Sequence, residues 1–265
     1  MGKKKDLNLN KSFLTKENVG TTAKYSNICG LVQTSKVALY SKKENGNMKK
    51  TPKSFAIYCS EGASRVIKFY SFEENLINYK PVKVIYDGER LIVIKTLRNL
   101  FGKDLIIFDR NSKFFNPKRI HNSTSEFIET KLTEHSIDYL LCFGDKILKK
   151  SLIDKFRNRL INFHPALLPS FKGLLSINQA LNSGVSIIGN TAHFIDEGID
   201  SGKIILQTAM LTEDFIDFED VLELQFPMIK MILRDVLNYD IRQIEVMKEI
   251  SKRKKTILIP KKCIL

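Results

Sequence analysis

The stretch FAIYCSEGAS, residues 55–64, decides how this chain folds. Its first half (Phe55–Cys59) is a short apolar run typical of a buried β-strand, and its second half is a polar turn that contains a glycine. Helical spacing follows over residues 65–73. A strand, a turn and a helix in this order open an α/β unit, in which helical crossovers join parallel strands.

Similar apolar runs recur along the chain at intervals that leave room for such crossovers. They predict strands at 82–86, 105–108, 139–143, 160–163, 187–195 and 204–210. Helices are predicted at 123–134, 177–182, 218–237 and 241–250. We therefore expect an α/β fold with a Rossmann-like open twisted, mostly parallel sheet and flanking helices. A sheet of this kind binds ligands at the carboxyl ends of its strands.

Composition divides the chain into a predicted catalytic domain at residues 53–238 and two smaller parts. Residues 1–52 hold 11 Lys/Arg and 3 Asp/Glu and are otherwise rich in polar residues, so we expect a basic, largely flexible arm. Residues 239–265 predict a small extension, a helix followed by a hairpin in which 256–259 pairs with 263–265. A homodimer that pairs through this tail is a further interpretation.

The net charge of +14 and the four cysteines limit the classes of protein that fit this chain. Residues 248–265 hold 7 Lys/Arg and 1 Glu, so the excess charge lies in the two ends. We therefore do not expect nucleic acid as the main partner. No apolar run reaches the ~20 residues that span a membrane. Scattered cysteines without CxxC spacing predict buried thiols in a cytoplasmic protein.

Two polar clusters at predicted strand ends contain the candidate chemistry. In NFHPALLP (162–169), Asn162 and His164 point to the same face of a strand, and two prolines stiffen the turn beyond it. The second cluster, HFIDEGIDSG (193–202), places three carboxylates in one loop: Asp196, Glu197 and Asp200. The spacing fits neither a calcium loop nor a zinc site, so we expect no metal.

Together these segments resemble the folate-dependent formyltransferase family. The match runs through NFHPALLPSFKG (162–173) and GNTAHFIDEGIDSGKIILQ (189–207), with Ala166 where serine is usual. The predicted strand order is also compatible, so the resemblance covers residues 54–235. It implies a formyltransferase fold and an enzyme that carries the formyl group of 10-formyltetrahydrofolate to a primary amine.

The resemblance places Asn162, His164 and Asp200 in the catalytic roles. Attack of the amine on the formyl carbon creates an oxyanion, which the Asn162 amide and a protonated His164 can stabilise. Asp200 can hold His164 in its charged form and accept the amine proton through water. The resemblance further implies a folate site on two loops, formed by these residues: Ile147, Leu148, His193, Asp196, Glu197 and Gly198.

The acceptor side departs from the branch that the chain otherwise resembles, the glycinamide ribonucleotide transformylases. That branch has a Ser-Gly-x-Gly-Ser-Asn phosphate loop, whereas this chain has SEGASR at 60–65, in which Glu61 adds a negative charge. A Glu-His pair of that branch is replaced here by Gln225 and Phe226. We expect the acceptor to bind to the following residues: Gly62, Ser64, Arg65 and Gln225.

These departures favour a nucleotide-linked amino sugar as the small-molecule acceptor, with a transformylase of purine synthesis as the alternative. Two other interpretations are a hydrolase that releases formate from the same folate and a non-catalytic folate-binding protein. Residues 1–52 are too short and polar to supply the regulatory domain of the hydrolases. The intact set of Asn162, His164 and Asp200 argues against a protein without catalytic activity.

Overall fold

The computed structural model describes residues 51–109, 111, 115–214, 217–241 and 256–260. Eight strands lie in this part of the chain: β1 (Phe55–Cys59), β2 (Lys83–Tyr86), β3 (Leu105–Ile107), β4 (Tyr139–Phe143), β5 (Leu160–His164), β6 (Ile187–Phe194), β7 (Ile204–Leu211) and β8 (Thr256–Pro260). They form one sheet in the order β3-β2-β1-β4-β5-β6-β7-β8.

Eight α-helices lie in the same described ranges. They are α1 (Ser64–Tyr70), α2 (Glu73–Asn78), α3 (Leu91–Phe101), α4 (Ile120–Glu134), α5 (Lys150–Lys155), α6 (Ser176–Asn182), α7 (Phe218–Glu223) and α8 (Gln225–Asp235). Of these, α2, α3 and α5 were not predicted from the sequence.

The first five strands are parallel, which confirms the predicted α/β sheet with its helical crossovers. All five residues of β1 are buried, as expected for a strand that is covered on both faces. One apolar cluster includes Val66, Leu97 and Met231 from α1, α3 and α8. A second cluster, on the other face of the sheet, includes Phe127 of α4 and Leu152 of α5.

The last three strands run antiparallel and extend the sheet beyond β5. The predicted strand at 256–259 exists, but it pairs with β7, where Ile259 lies opposite Gln207. Its predicted hairpin partner, 263–265, lies outside the described residues, as do 1–50 of the arm and 242–250 of the last predicted helix. The division into three parts therefore stays a prediction.

Two predicted helices differ from those in the structure. The first, at 65–73, ends at Tyr70 because Phe72 takes an extended backbone and the Asn75 side chain donates to the carbonyl of Phe69 at 2.8 Å. The second, at 218–237, is divided into α7 and α8 at Leu224. Pro227 is the third residue of α8. This position in the first turn suits proline, because proline lacks the N–H that later helical positions require.

Candidate active site

The carboxyl edge of the sheet is where the candidate residues collect. The chain builds β1, β2 and β3 in one direction and then crosses to β4 on the other side of β1. This change of direction is a topological switch point, where open α/β sheets bind their ligands. The predicted catalytic strand, β5, pairs with β4 and therefore lies beside this crevice.

The predicted catalytic side chains of Asn162, His164 and Asp200 come together at the end of β5. Nδ1 of His164 lies 3.2 Å from Oδ2 of Asp200. Nδ2 of Asn162 lies 3.4 Å from Oδ1 of the same carboxylate. The two motifs that are separated in the sequence thus form one polar cluster, with Asp200 between the other two side chains.

His193, predicted as part of the folate site, belongs to the same cluster. It lies opposite Asn162 in the register of β5 and β6, with its Nε2 3.2 Å from Nδ2 of Asn162 and 3.5 Å from Oδ1 of Asp200. Its Nδ1 lies 2.9 Å from the carbonyl of Phe194, to which it can only donate. In the neutral ring Nε2 can therefore accept from Asn162, and in the protonated ring it can donate to Asp200.

The loop between β6 and β7 holds Asp200 in place. Asp200 has a left-handed backbone, with φ of 47°, and its Oδ2 accepts the backbone N–H of Gly173 at 2.8 Å. Two residues on, a Cβ at Gly202 would lie 1.7 Å from the carbonyl oxygen of Phe194, so only glycine fits there. The loop backbone therefore aims the carboxylate at the end of β5.

The electrostatics of His164 and Asp200 suit proton transfer. Burial lowers the pKa of His164, although the Phe171 carbonyl and the charge of Asp200 act in the opposite direction. Burial also works against the charge of Asp200, but hydrogen bonds from His193 and Gly173 and the nearby histidines outweigh it and lower its pKa. Asp200 is thus a stable anion beside an imidazole that releases its proton readily.

Both ring nitrogens of His164 face oxygen atoms that can only accept. Nε2 lies 2.8 Å from the carbonyl of Phe171, and Nδ1 faces Asp200. The protonated ring satisfies both contacts, whereas burial favours the neutral ring. The pKa of His164 is lowered, so burial outweighs these two contacts and the neutral ring is favoured.

A cavity of about 300 Å³ opens at the switch point, and its lining includes Pro165, which follows His164 in the chain. Three of the four predicted acceptor-binding residues line it, namely Gly62, Ser64 and Arg65, together with Phe143 and Asp145 at the end of β4. The fourth, Gln225, is fully buried. It lies behind Arg65 and accepts a hydrogen bond from that side chain at 3.1 Å.

Arg65 is held by neutral partners only. Its guanidinium donates to the carbonyls of Phe163 at 3.3 Å and Phe143 at 3.2 Å, and to the side chain of Gln225. It also lies over the ring of Phe143. Burial lowers the pKa of Arg65 to about 10, so the side chain remains charged at neutral pH. Within the described ranges it forms no ion pair with a carboxylate.

The predicted folate loops differ in what their side chains can reach. Ile147 is 63% exposed, whereas Leu148 packs into the apolar core, so only the former can meet a ligand. On the acidic loop, Asp196 accepts from the backbone N–H of Gly198 at 3.1 Å and shapes the turn. Glu197 is exposed and pairs with Lys150 of α5.

Sequence reasoning missed a buried polar group beside the cavity. The phenol of Tyr58 donates to Oδ2 of Asp87 at 2.6 Å, and Oγ of Ser60 lies 3.3 Å from the phenol oxygen. Burial raises the pKa of Asp87, although the hydrogen bond from Tyr58 acts against this. The signal in the sequence was a polar residue directly after an apolar run, since Ser60 follows β1 and Asp87 follows β2.

The described residues hold neither a metal-binding cluster nor a membrane-spanning helix. They contain no group of three or more His, Cys, Asp or Glu side chains arranged to hold a metal ion. Among the described helices, none has both the length and the apolar character needed to cross a bilayer. Cys59 and Cys142 are buried free thiols, as predicted.

The fold and the site define an α/β protein with a polar catalytic cluster at the carboxyl end of its sheet. Comparison with known families matches residues 87–220 to the formyl transferase family. The match spans half of the chain, and the chain therefore belongs to this family. The family predicted from the two sequence motifs is confirmed.

Several relatives in this family are similar to the chain over part of its length. Phosphoribosylglycinamide formyltransferase of Bacillus subtilis is 35% identical over 112 residues, which are 41% of this chain and 55% of that protein. The human trifunctional purine biosynthetic protein adenosine-3 is 41% identical over 96 residues, 35% of this chain and 10% of that protein. The chain thus spans about half of the first relative and a tenth of the second.

Solved structures show the same fold. A phosphoribosylglycinamide formyltransferase from Brucella melitensis superimposes with a TM-score of 0.58 at 22% identity. The superposition covers 74% of this chain and 100% of that one. The predicted fold class is therefore confirmed.

Proposed function

We propose that this protein is an N-formyltransferase, which moves the formyl group of 10-formyltetrahydrofolate to a primary amine of a small anionic acceptor. The observation that supports this most directly is the cluster of Asn162, His164 and Asp200 at the carboxyl end of β5. It occurs in a chain of the formyl transferase family and beside a cavity of a size that suits a small molecule.

The proposed chemistry assigns one task to each side chain of the cluster. 10-Formyltetrahydrofolate would supply an activated formyl carbon for attack by the amine. Asn162 and His164 would donate hydrogen bonds to the formyl oxygen as negative charge develops on it, and Nε2 of His164 would leave the Phe171 carbonyl to do so. Asp200, a stable anion, would accept the amine proton through a water molecule. His164 would give a proton to the folate nitrogen that leaves, which balances the proton taken from the amine.

The residues around the cluster fit a flat, partly apolar co-substrate. The exposed side chain of Ile147 follows β4 and offers an apolar surface beside β5. The acidic loop at 196–198 belongs to the same β6–β7 connection as Asp200, and its free backbone groups would hydrogen-bond a ring. We therefore place the pterin ring between these two loops.

For the acceptor, the relatives favour phosphoribosylglycinamide. Two phosphoribosylglycinamide formyltransferases are similar to this chain, the one from Bacillus subtilis in sequence and the one from Brucella melitensis in fold. Arg65 supports an acceptor with an anionic group, because it presents a half-buried cation with neutral hydrogen-bond partners to the cavity. The charge would pair with a phosphate of the acceptor.

A nucleotide-linked amino sugar remains the second candidate, and the acceptor side of the site favours it. Gln225 and Phe226 are both buried. The side chain of Gln225 accepts a hydrogen bond from Arg65 and donates one to Asn190 at 2.8 Å. In the branch that this chain resembles, the residues at these two positions reach the acceptor. Here they lie inside the protein, and Glu61 adds a negative charge at the cavity.

The test is an assay of formyl transfer from 10-formyltetrahydrofolate, with each acceptor supplied separately. The absorbance of the released tetrahydrofolate measures the rate. Turnover with phosphoribosylglycinamide would establish the first acceptor, and turnover only with a nucleotide-linked amino sugar would establish the second. Formate release without any acceptor would indicate a hydrolase.

His164→Ala should lose at least about 100-fold in rate, whereas His135→Ala, at the end of α4, should not. Equal rates for both variants would contradict the proposed role of His164.

A further inference from the structure

The loop after β4 is held by side chains from two other parts of the chain. Its backbone N–H groups at every second residue donate to a side chain: Asp145 to Oγ of Ser60 at 3.1 Å, Ile147 to Nδ1 of His121 at 3.0 Å, and Lys149 to Oγ of Ser125 at 2.9 Å. His121 and Ser125 both belong to α4. The position of the exposed Ile147 therefore depends on α4.

The three acceptors differ in their response to pH. A serine hydroxyl retains its lone pairs at every pH, but Nδ1 of an imidazole accepts a hydrogen bond only while it is unprotonated. Once protonated, Nδ1 carries a hydrogen that faces the hydrogen of the Ile147 amide. The contact at Ile147 is thus the only one of the three that protonation would break.

We infer that His121 is a positioning residue for folate, whose unprotonated Nδ1 fixes the Ile147 backbone in the conformation that binds the pterin. This inference rests on the proposed function, because it assigns Ile147 to the folate site. It predicts that the affinity for folate falls when His121 takes up a proton.

The charged groups near His121 are largely paired with one another. On the loop, Lys146 binds Asp145 at 2.6 Å, and between loop and helix Lys149 binds Glu126 at 3.0 Å. Within the described ranges, no carboxylate forms an ion pair with His121. The charged residues in the turn before α4, on α4, on the loop and at the start of α5 are these: Lys118, Arg119, Glu126, Glu129, Lys131, Glu134, Asp145, Lys146, Lys149 and Lys150.

Binding of tetrahydrofolate under anaerobic conditions, measured by calorimetry from pH 8 to pH 5.5, tests the inference. His121→Ala should raise the Kd about two- to tenfold at pH 8, the range expected for one hydrogen bond. His121→Asn, whose carbonyl oxygen lies near the position of Nδ1, should restore the affinity and abolish the additional loss at low pH. His135→Asn, an exposed histidine at the end of the same helix, should behave like the wild type. The same pH dependence in the wild type and in His121→Asn would overturn the inference.

Hydrogen exchange of the Ile147 amide in the ligand-free protein separates this inference from the proposed function. After correction for intrinsic exchange, the protection of this amide should fall as the pH is lowered in the wild type and stay constant in His121→Asn. Absence of tetrahydrofolate binding at every pH would overturn both the folate site and the role of His121, while the exchange data would still report whether the contact exists. Tight binding with unchanged exchange would overturn the His121 role alone.

Discussion

At the scale of single residues, Asp200 connects parts of the chain that are far apart in the sequence. Its Oδ2 accepts from Gly173 and faces His164, while its Oδ1 faces Asn162 and His193. These contacts lower its pKa although burial acts against the charge. A carboxylate in this setting orients the two histidines and stays deprotonated at neutral pH.

We therefore expect Asp200→Asn to lose about 100- to 10,000-fold in kcat, the range for removal of a general base. Tetrahydrofolate should still bind, since the amide has nearly the same shape. The control is Asp235→Asn, which changes an exposed aspartate paired with Arg234 on α8. Steady-state kinetics and calorimetry together check this prediction, and a kcat near that of the control would show that Asp200 has no part in proton transfer.

At the scale of elements, the antiparallel pair of β6 and β7 fixes both His193 and the loop with Asp200. Gly189 in β6 allows this pair to approach closely, because a Cβ there would lie 1.9 Å from the carbonyl oxygen of Thr208 and 2.8 Å from Cα of Ala209. Both atoms belong to the backbone of β7 and cannot rotate away. The close approach at Gly189 is therefore a requirement of the sheet.

Gly189→Ala should reduce the free energy of unfolding by about 1–3 kcal/mol, the usual cost of adding an atom to a well-packed site. Gly62→Ala is the matched control, because its Cβ would meet only the end of the Arg90 side chain, at 3.4 Å. Urea unfolding followed by circular dichroism measures both changes. Equal stability of the two variants would mean that β6 and β7 can move apart at Gly189 without lowering the free energy of unfolding.

At the scale of the whole molecule, Arg65 joins four elements at the edge of the cavity. Arg65 of α1 connects the ends of β4 and β5 through the carbonyls of Phe143 and Phe163, and it contacts Gln225 of α8. Because its partners are neutral, the charge of Arg65 is available to a ligand. The architecture thus places one cation between the cavity and the strand that carries Asn162 and His164.

Gln225→Glu should pair with Arg65 across the present distance of 3.1 Å and neutralise its charge. We expect the KM for an anionic acceptor to rise about tenfold or more, since a hydrogen bond to a charged group contributes about 1.5–3 kcal/mol. The KM for 10-formyltetrahydrofolate should stay unchanged, because folate is assigned to the other loops. A parallel rise in both KM values would point to a general disturbance of the site.

The tertiary structure decided several points that no local pattern could show. Leu148 was predicted to face folate, yet it lies in the core, while His121 and Asp87 reach the site from segments without a motif. Gln225 lies 160 residues from Arg65 in the sequence, and their contact exists only because α1 and α8 pack on the same face of the sheet.

The sequence by itself determined the parallel strands and the motif residues, because apolar periodicity and two short motifs are local properties of the chain. It gave Asn162, His164 and Asp200 as one group, and their side chains do meet. It could not determine where the helices break, which loop side chains turn inward, or which partners surround Arg65. Those depend on contacts between distant segments, whose energies are settled only when the whole sheet has formed.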